Sequence, residues 1–94
     1  MTKLVLSSKF RRSYKKFVKR DRGLQARIDA VIQDLKEDVF LPRLGTHKLS
    51  GHLLGLFACT CGYDCRIVFG LENDPETGED VILLVDIGTH DEVY

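Results

Sequence analysis

The sequence predicts an α+β fold in the order β-α-α-β-β-β, an N-terminal helical hairpin packed on a small, mainly antiparallel sheet. Three observations carry this. Apolar residues recur at helical spacing across residues 10–35, two strand-like runs meet around a tight turn within 53–71, and 81–87 is almost wholly apolar. With 94 residues and 44% hydrophobic content, the chain has material for one modest core, burying roughly 60–65% of the unfolded surface. A single domain over residues 1–94 is expected.

Residues 3–6 read as a short first strand, and Ser7 or Ser8 is a suitable cap for the helix that follows. In that helix Phe10, Tyr14, Phe17 and Val18 share a core-facing stripe. Lys9, Arg12, Lys15, Lys16, Lys19 and Arg20 occupy the remaining surface. The pattern breaks at 21–23 and restarts with Leu24, Ile28, Val31, Ile32 and Leu35, giving a second antiparallel helix. Pro42 ends helical character, and a loop then carries His47, Lys48 and His52. Residues 53–61 and 63–71 form two strands joined at Gly62, and 72–80, with Pro75 and Gly78, is a polar turn. The run 81–87, charged only at Asp86, suits a central strand buried on both faces that delivers His90 just past its end.

The formal net charge of zero conceals a division. Residues 1–48 carry 13 basic and 5 acidic residues, 13 − 5 = +8, and residues 49–94 carry 1 and 9, 1 − 9 = −8. A basic first helix suits contact with phosphates. The amino terminus is too short in apolar residues for a signal peptide and no run is long enough to span a membrane, so a soluble, cytoplasmic protein without membrane contact is expected. Three cysteines within seven residues, Cys59, Cys61 and Cys65, are an odd count and read as reduced thiols. Together with His52 they offer four zinc donors, but the Cys-x₂-Cys knuckles of a zinc site are absent, so small apolar fillers are the simpler reading and no metal or cofactor is expected.

His47, His52 and His90 all fall near presumed strand ends, where loops commonly carry function. Alternation from Tyr63 places Asp64 and Arg66 together on one strand face. These residue types match what metal-free RNA cleavage requires. The ribose 2′-hydroxyl is the nucleophile, so an enzyme supplies a base for its proton, an acid for the leaving 5′-oxygen, and cations for the phosphorane. Histidine fills either proton-transfer role near neutral pH. Asp64 serves as base or as a partner fixing a tautomer, Arg66 offers a fork of donors to phosphate, and Tyr94 a ring for stacking.

Three blocks, His47-Lys48-Leu49-Ser50-Gly51, Gly62-Tyr63-Asp64-Cys65-Arg66-Ile67-Val68-Phe69 and Ile87-Gly88-Thr89-His90-Asp91-Glu92-Val93-Tyr94, resemble the RelE/ParE toxin superfamily and within it the YafQ-like branch. The resemblance covers nearly the whole chain, and the Gly-Thr-His block is what selects the branch. It implies a toxin of a type II toxin-antitoxin system, a ribosome-dependent mRNA endoribonuclease (mRNA interferase) that causes growth arrest and is neutralised by a cognate antitoxin. It implies His90 as proton donor, with His47, Asp64 and the terminal Tyr94 in the same site, and leaves open whether His47 or Asp64 is the base. Lys48, Arg12, Lys16 and Arg66 are expected to meet RNA phosphates. Thr60 stands where the branch can carry a further histidine. Two alternatives share the fold, a ParE-like toxin acting on DNA gyrase without cutting RNA, and a degenerate module that binds only an antitoxin.

Overall fold

The computed structural model describes residues 2–94. Strand β1, Thr2–Leu6, leads through Ser7 into helix α1, Ser8–Arg20, and a short turn connects to helix α2, Leu24–Glu37. A 3₁₀ turn at Pro42–Leu44, strand β2 at His47–Lys48 and a second 3₁₀ turn at Gly51–Leu53 precede strands β3, Phe57–Gly62, β4, Cys65–Asn73, and β5, Asp80–Gly88. Helix α3, His90–Val93, ends the fold. The five strands form one sheet in the order β1-β5-β4-β3-β2, parallel only between β1 and β5. Among the described residues no helix is long and apolar enough to cross a membrane.

Ser7 explains where α1 begins. Its Oγ accepts the Phe10 N–H at 3.0 Å and donates to the Val85 carbonyl at 2.9 Å, and its own N–H reaches the Leu84 carbonyl. One side chain therefore caps the helix and fastens it to β5. The predicted stripe holds: Phe10 and Phe17 are buried, Tyr14 and Val18 pack beside them, and Ile28 and Leu35 close the core from α2. Both helices cover a single face of the sheet, against Cys59, Cys61, Cys65, Ile67, Phe69, Ile82 and Leu84. Phe69 stacks on Phe57 at 5.9 Å within this layer.

Three expectations shift. The run 53–61 becomes a strand only from Phe57, because Gly51 and Gly55 adopt φ of 66° and 94° that an extended chain does not carry. Residues 63 and 64 leave the strand to form the hairpin turn. The apolar run 81–87 is interior, between β1 and β4, yet only Ile82 and Leu84 are buried in its first half while Val81, Leu83 and Val85 are half-exposed on the helix-free face. Burial becomes continuous at Asp86, Ile87 and Gly88, and Lys9 of α1 meets the Asp86 carboxylate at 3.4 Å. That ion pair satisfies a charge that would be costly to bury alone.

Candidate functional site

The strand pairing gathers a polar group on the face away from α1 and α2. His47 opposes Ala58, Ala58 opposes Val68, and Thr60 opposes Arg66, which in turn opposes Gly88. Directly paired residues share a face, as do residues two apart on one strand, so His47, Thr60 and Arg66 lie on one face. Lys48, opposite Phe57, leaves β2 on the other side and is separated from His47. The first histidine is thus a strand residue rather than a loop residue. Its Nδ1 lies 3.1 Å from the Gly45 carbonyl oxygen. A carbonyl oxygen only accepts, which assigns the proton to Nδ1 and leaves Nε2 of the neutral ring as a proton acceptor.

Helix α3 folds back onto this same face. A Cβ at Gly88 would sit 3.0 Å from Glu92 Oε1 and 3.4 Å from a Val93 methyl, so glycine is what allows the approach. Thr89 caps the helix: its Oγ1 accepts the Glu92 N–H, and the Glu92 carboxylate accepts the Thr89 N–H at 2.9 Å. Arg20, at the end of α1, reaches the same carboxylate at 3.1 Å. The Thr89 amide, followed by the Arg20 guanidinium, holds the Glu92 carboxyl below its usual range. His90 is the first residue of α3. Its backbone N–H donates to Asp64 Oδ1 at 3.1 Å, and its ring stands edge-on to Tyr94 with centroids 4.7 Å apart. The Tyr94 hydroxyl is buried without a partner; burial pushes its pKa up while the Arg66 charge pulls the other way.

Asp64 does not share a strand face with Arg66 as alternation predicts. It occupies the β3–β4 turn with φ 51°, a left-handed conformation that aspartate tolerates better than most residues, and its carboxylate meets the backbone of His90 rather than its ring. Arg66 grips the same hairpin from below. Its Nη1 donates to the carbonyls of Cys65 at 2.9 Å and Gly62 at 3.3 Å and to Thr60 Oγ1 at 3.4 Å. Thr60, standing where an imidazole was a prospect, donates its hydroxyl to the Gly62 carbonyl.

The cysteines also differ from expectation. Cys61 and Cys65 form a disulfide across the hairpin, and only Cys59 is a free thiol, buried and pushed up to about 12 by its apolar surroundings. An odd count of cysteines does not reveal which pair a turn brings together. Gly62 pairs with Cys65, which sets the Cα atoms of Cys61 and Cys65 5.1 Å apart, within disulfide reach. The zinc alternative loses two of its donors, and among the described residues no three His, Cys, Asp or Glu side chains gather to hold a metal. His52 sits exposed on the second 3₁₀ turn. Arg12 and Lys16 are exposed on α1, and Lys16 lines a groove with Lys9, Arg20 and Glu92 that leads toward α3.

The sequence matches the family described as a bacterial toxin of type II toxin-antitoxin system, YafQ, over residues 2–94. The chain belongs to the YafQ toxin family. It is accordingly a toxin of a type II toxin-antitoxin system within the RelE/ParE superfamily. No curated protein matches it in sequence. Its fold is that of YafQ from Escherichia coli in the DinJ-YafQ complex, with 17% identity, TM-score 0.80, and coverage of 100% of this chain and 99% of that one. A metal-bound toxin from Helicobacter pylori is similar at 26% identity, TM-score 0.75 and full coverage of both chains. A YoeB/ParE toxin from Agrobacterium tumefaciens is similar at 17% identity and TM-score 0.77, over 94% of this chain and 98% of that one.

Against this YafQ-family framework, the residues missed in the sequence are those that hold α3. Thr89 and Glu92 have the Thr-x-x-Glu spacing of a capping box, a readable signal for a helix start. No local pattern announces Arg20 as a partner of Glu92, since 72 residues separate them.

Proposed function

We propose that this toxin is an endoribonuclease that cuts messenger RNA on the ribosome through attack of the ribose 2′-hydroxyl. The observation that supports the reading is that strand pairing puts His47 and Arg66 on one face of the sheet, with the α3 pair His90 and Tyr94 folded back beside Gly88, the residue opposite Arg66. His47 is the general base. Its Nδ1–H is held by the Gly45 carbonyl, so Nε2 is free to take the 2′-hydroxyl proton, while the Asp64 carboxylate is engaged by the His90 amide. His90 is the general acid toward the leaving 5′-oxygen. Asp64 acts by seating His90, and Tyr94 forms the wall against which the His90 ring stands. With Nη1 of Arg66 turned to the hairpin, the other edge of its guanidinium is available to a phosphate oxygen. Arg12 and Lys16 extend the positive surface toward ribosomal RNA, and Lys48 does so at the edge of β2. A cognate antitoxin neutralises the protein in the cell, as the DinJ-YafQ assembly suggests by analogy.

The test is incubation with programmed ribosomes followed by mapping of the cut ends. The 2′-hydroxyl route leaves 5′-hydroxyl ends, and a single 2′-deoxy substitution at the cut site blocks it. His90→Ala is expected to lower the rate by about 10²- to 10⁴-fold with the circular dichroism spectrum unchanged. Undiminished cleavage by that folded variant removes His90 as the acid, and an intact message with inhibited gyrase replaces the whole reading with the ParE-like one.

A further inference from the structure

Tyr63 is the most exposed large apolar side chain among the described residues, 98% open to solvent at the tip of the β3–β4 hairpin. A bare ring contributes nothing to folding by burial, yet its backbone is fastened from three directions. The Cys61–Cys65 disulfide closes the strands beneath it, Arg66 ties together the carbonyls on either side, and the next residue, Asp64, is bonded to the His90 amide. The chain therefore holds an unburied aromatic at a set place, one residue from a contact with His90.

A cation accompanies it. Gly62 has no side chain, and the Arg27 side chain of α2 lies over that gap: a Cβ there would be 2.9 Å from Nη1 and 3.2 Å from Cδ. Arg27 is exposed and enters no salt bridge among the described residues. An isolated ring with glycine and aspartate as chain neighbours and a guanidinium over the preceding Gly62 is a poor anchor for a protein, since protein hot spots sit within a rim of other contacts that exclude water. It suits a nucleotide, which needs only a flat π-face for the base and a positive group for the phosphate. Tyr94 does not fill this role, because its ring is engaged by His90 and its hydroxyl is buried.

We infer that Tyr63 and Arg27 form a nucleotide subsite in which an unpaired RNA base stacks on Tyr63 and its phosphate meets Arg27, seating the strand beside His90. The inference rests on the ribonuclease reading for its substrate, but its test separates the two. The chain has no tryptophan, so Tyr63→Trp installs a single indole fluorophore at the tip. Titration with a short, unstructured oligouridylate is expected to quench it saturably. With a labelled oligouridylate, Tyr63→Ala is expected to weaken binding by about 5- to 150-fold, the range of one base-aromatic stack. Arg27→Ala is expected to lower the salt slope of binding by about one. On programmed ribosomes Tyr63→Ala should raise KM more than it lowers kcat, and Tyr63→Phe should restore it. Saturable quenching by the oligonucleotide when the wild-type protein cuts no message upholds the subsite and removes the ribonuclease reading. Normal cleavage by wild type with an unchanged KM in Tyr63→Ala overturns the subsite and leaves the ribonuclease reading standing. Shielding of the installed indole by a purified antitoxin but not by RNA also overturns it, in favour of a protein contact.

Discussion

On the helix side of the sheet, Phe10, Ile28, Leu35, Ile67 and Phe69 interlock with polar atoms kept to the rim, whereas on the opposite face Thr60, Arg66, His90 and Tyr94 are held by hydrogen bonds and an ion pair. The first layer gains its stability from area removed from water and tolerates little change of volume. The second buries fewer apolar side chains, Ala58, Val68 and Val93 among them, and owes the geometry of its polar groups to directional contacts. The difference separates what makes the protein fold from what makes it act, and the Cys61–Cys65 bond joins the two, since both cysteines belong to the core while the turn between them carries Asp64. Substitutions should accordingly sort into those that unfold the chain and those that misplace a few atoms.

The largest expected effect is on the helix side. Phe69→Ala removes a fully buried ring stacked on Phe57 and should cost about 3–5 kcal/mol in urea unfolding; a loss near zero would mean that the core does not centre on β4. Next comes the link between layers. Cys61→Ser with Cys65→Ser, or a reductant, should lower stability by about 2 kcal/mol, the value for a cross-link closing so short a loop, and native alkylation of the oxidised wild type should leave buried Cys59 unlabelled. On the polar face Glu92→Ala should cost at most about 1 kcal/mol, while the nuclear magnetic resonance contacts between the His90 and Tyr94 rings weaken. Because Glu92 titrates below its ordinary value of 4.5 in the folded protein, its contribution is present above that value and is lost as pH falls through the lowered one. The ring contacts should therefore loosen on acidification below 4.5, and in Glu92→Gln they should show no such step. The smallest effect belongs to His52→Ala. Its side chain is exposed and partnerless among the described residues, so stability should change by no more than about 0.5 kcal/mol and cleavage should be unaffected.

The helix side was legible because burial imprints a period. Phe10, Tyr14, Phe17 and Val18 announce α1 with its inward stripe, and Leu24, Ile28, Val31 and Leu35 announce α2. The polar face was legible only in its residue types. Alternation, carried from Arg66 back through Asp64, fails because a two-residue turn intervenes and aspartate's tolerance of positive φ leaves no mark in a periodic pattern. The edge strand at His47 is too short for any period to register. The disulfide required knowing which residues the turn sets opposite each other, and the ion pair of Arg20 with Glu92 required knowing that the last helix folds back.

The parallel pairing of β1 with β5 brings together segments 78 residues apart at Leu4 and Ile82, and Ser7 extends the same clasp to Val85. A contact spanning most of the chain is expected to form after the intervening helices and hairpins have shortened the loop that it closes, since closure entropy grows with loop length. The hairpins β3–β4 and β4–β5 and the helical pair have local partners, so they are expected to form earlier, with β1 docking as a late event. Until it docks, the outer edge of β5 is open, with Ile82 and Leu84 beside an unpaired backbone, which makes this edge the place where chains would stick to one another during folding.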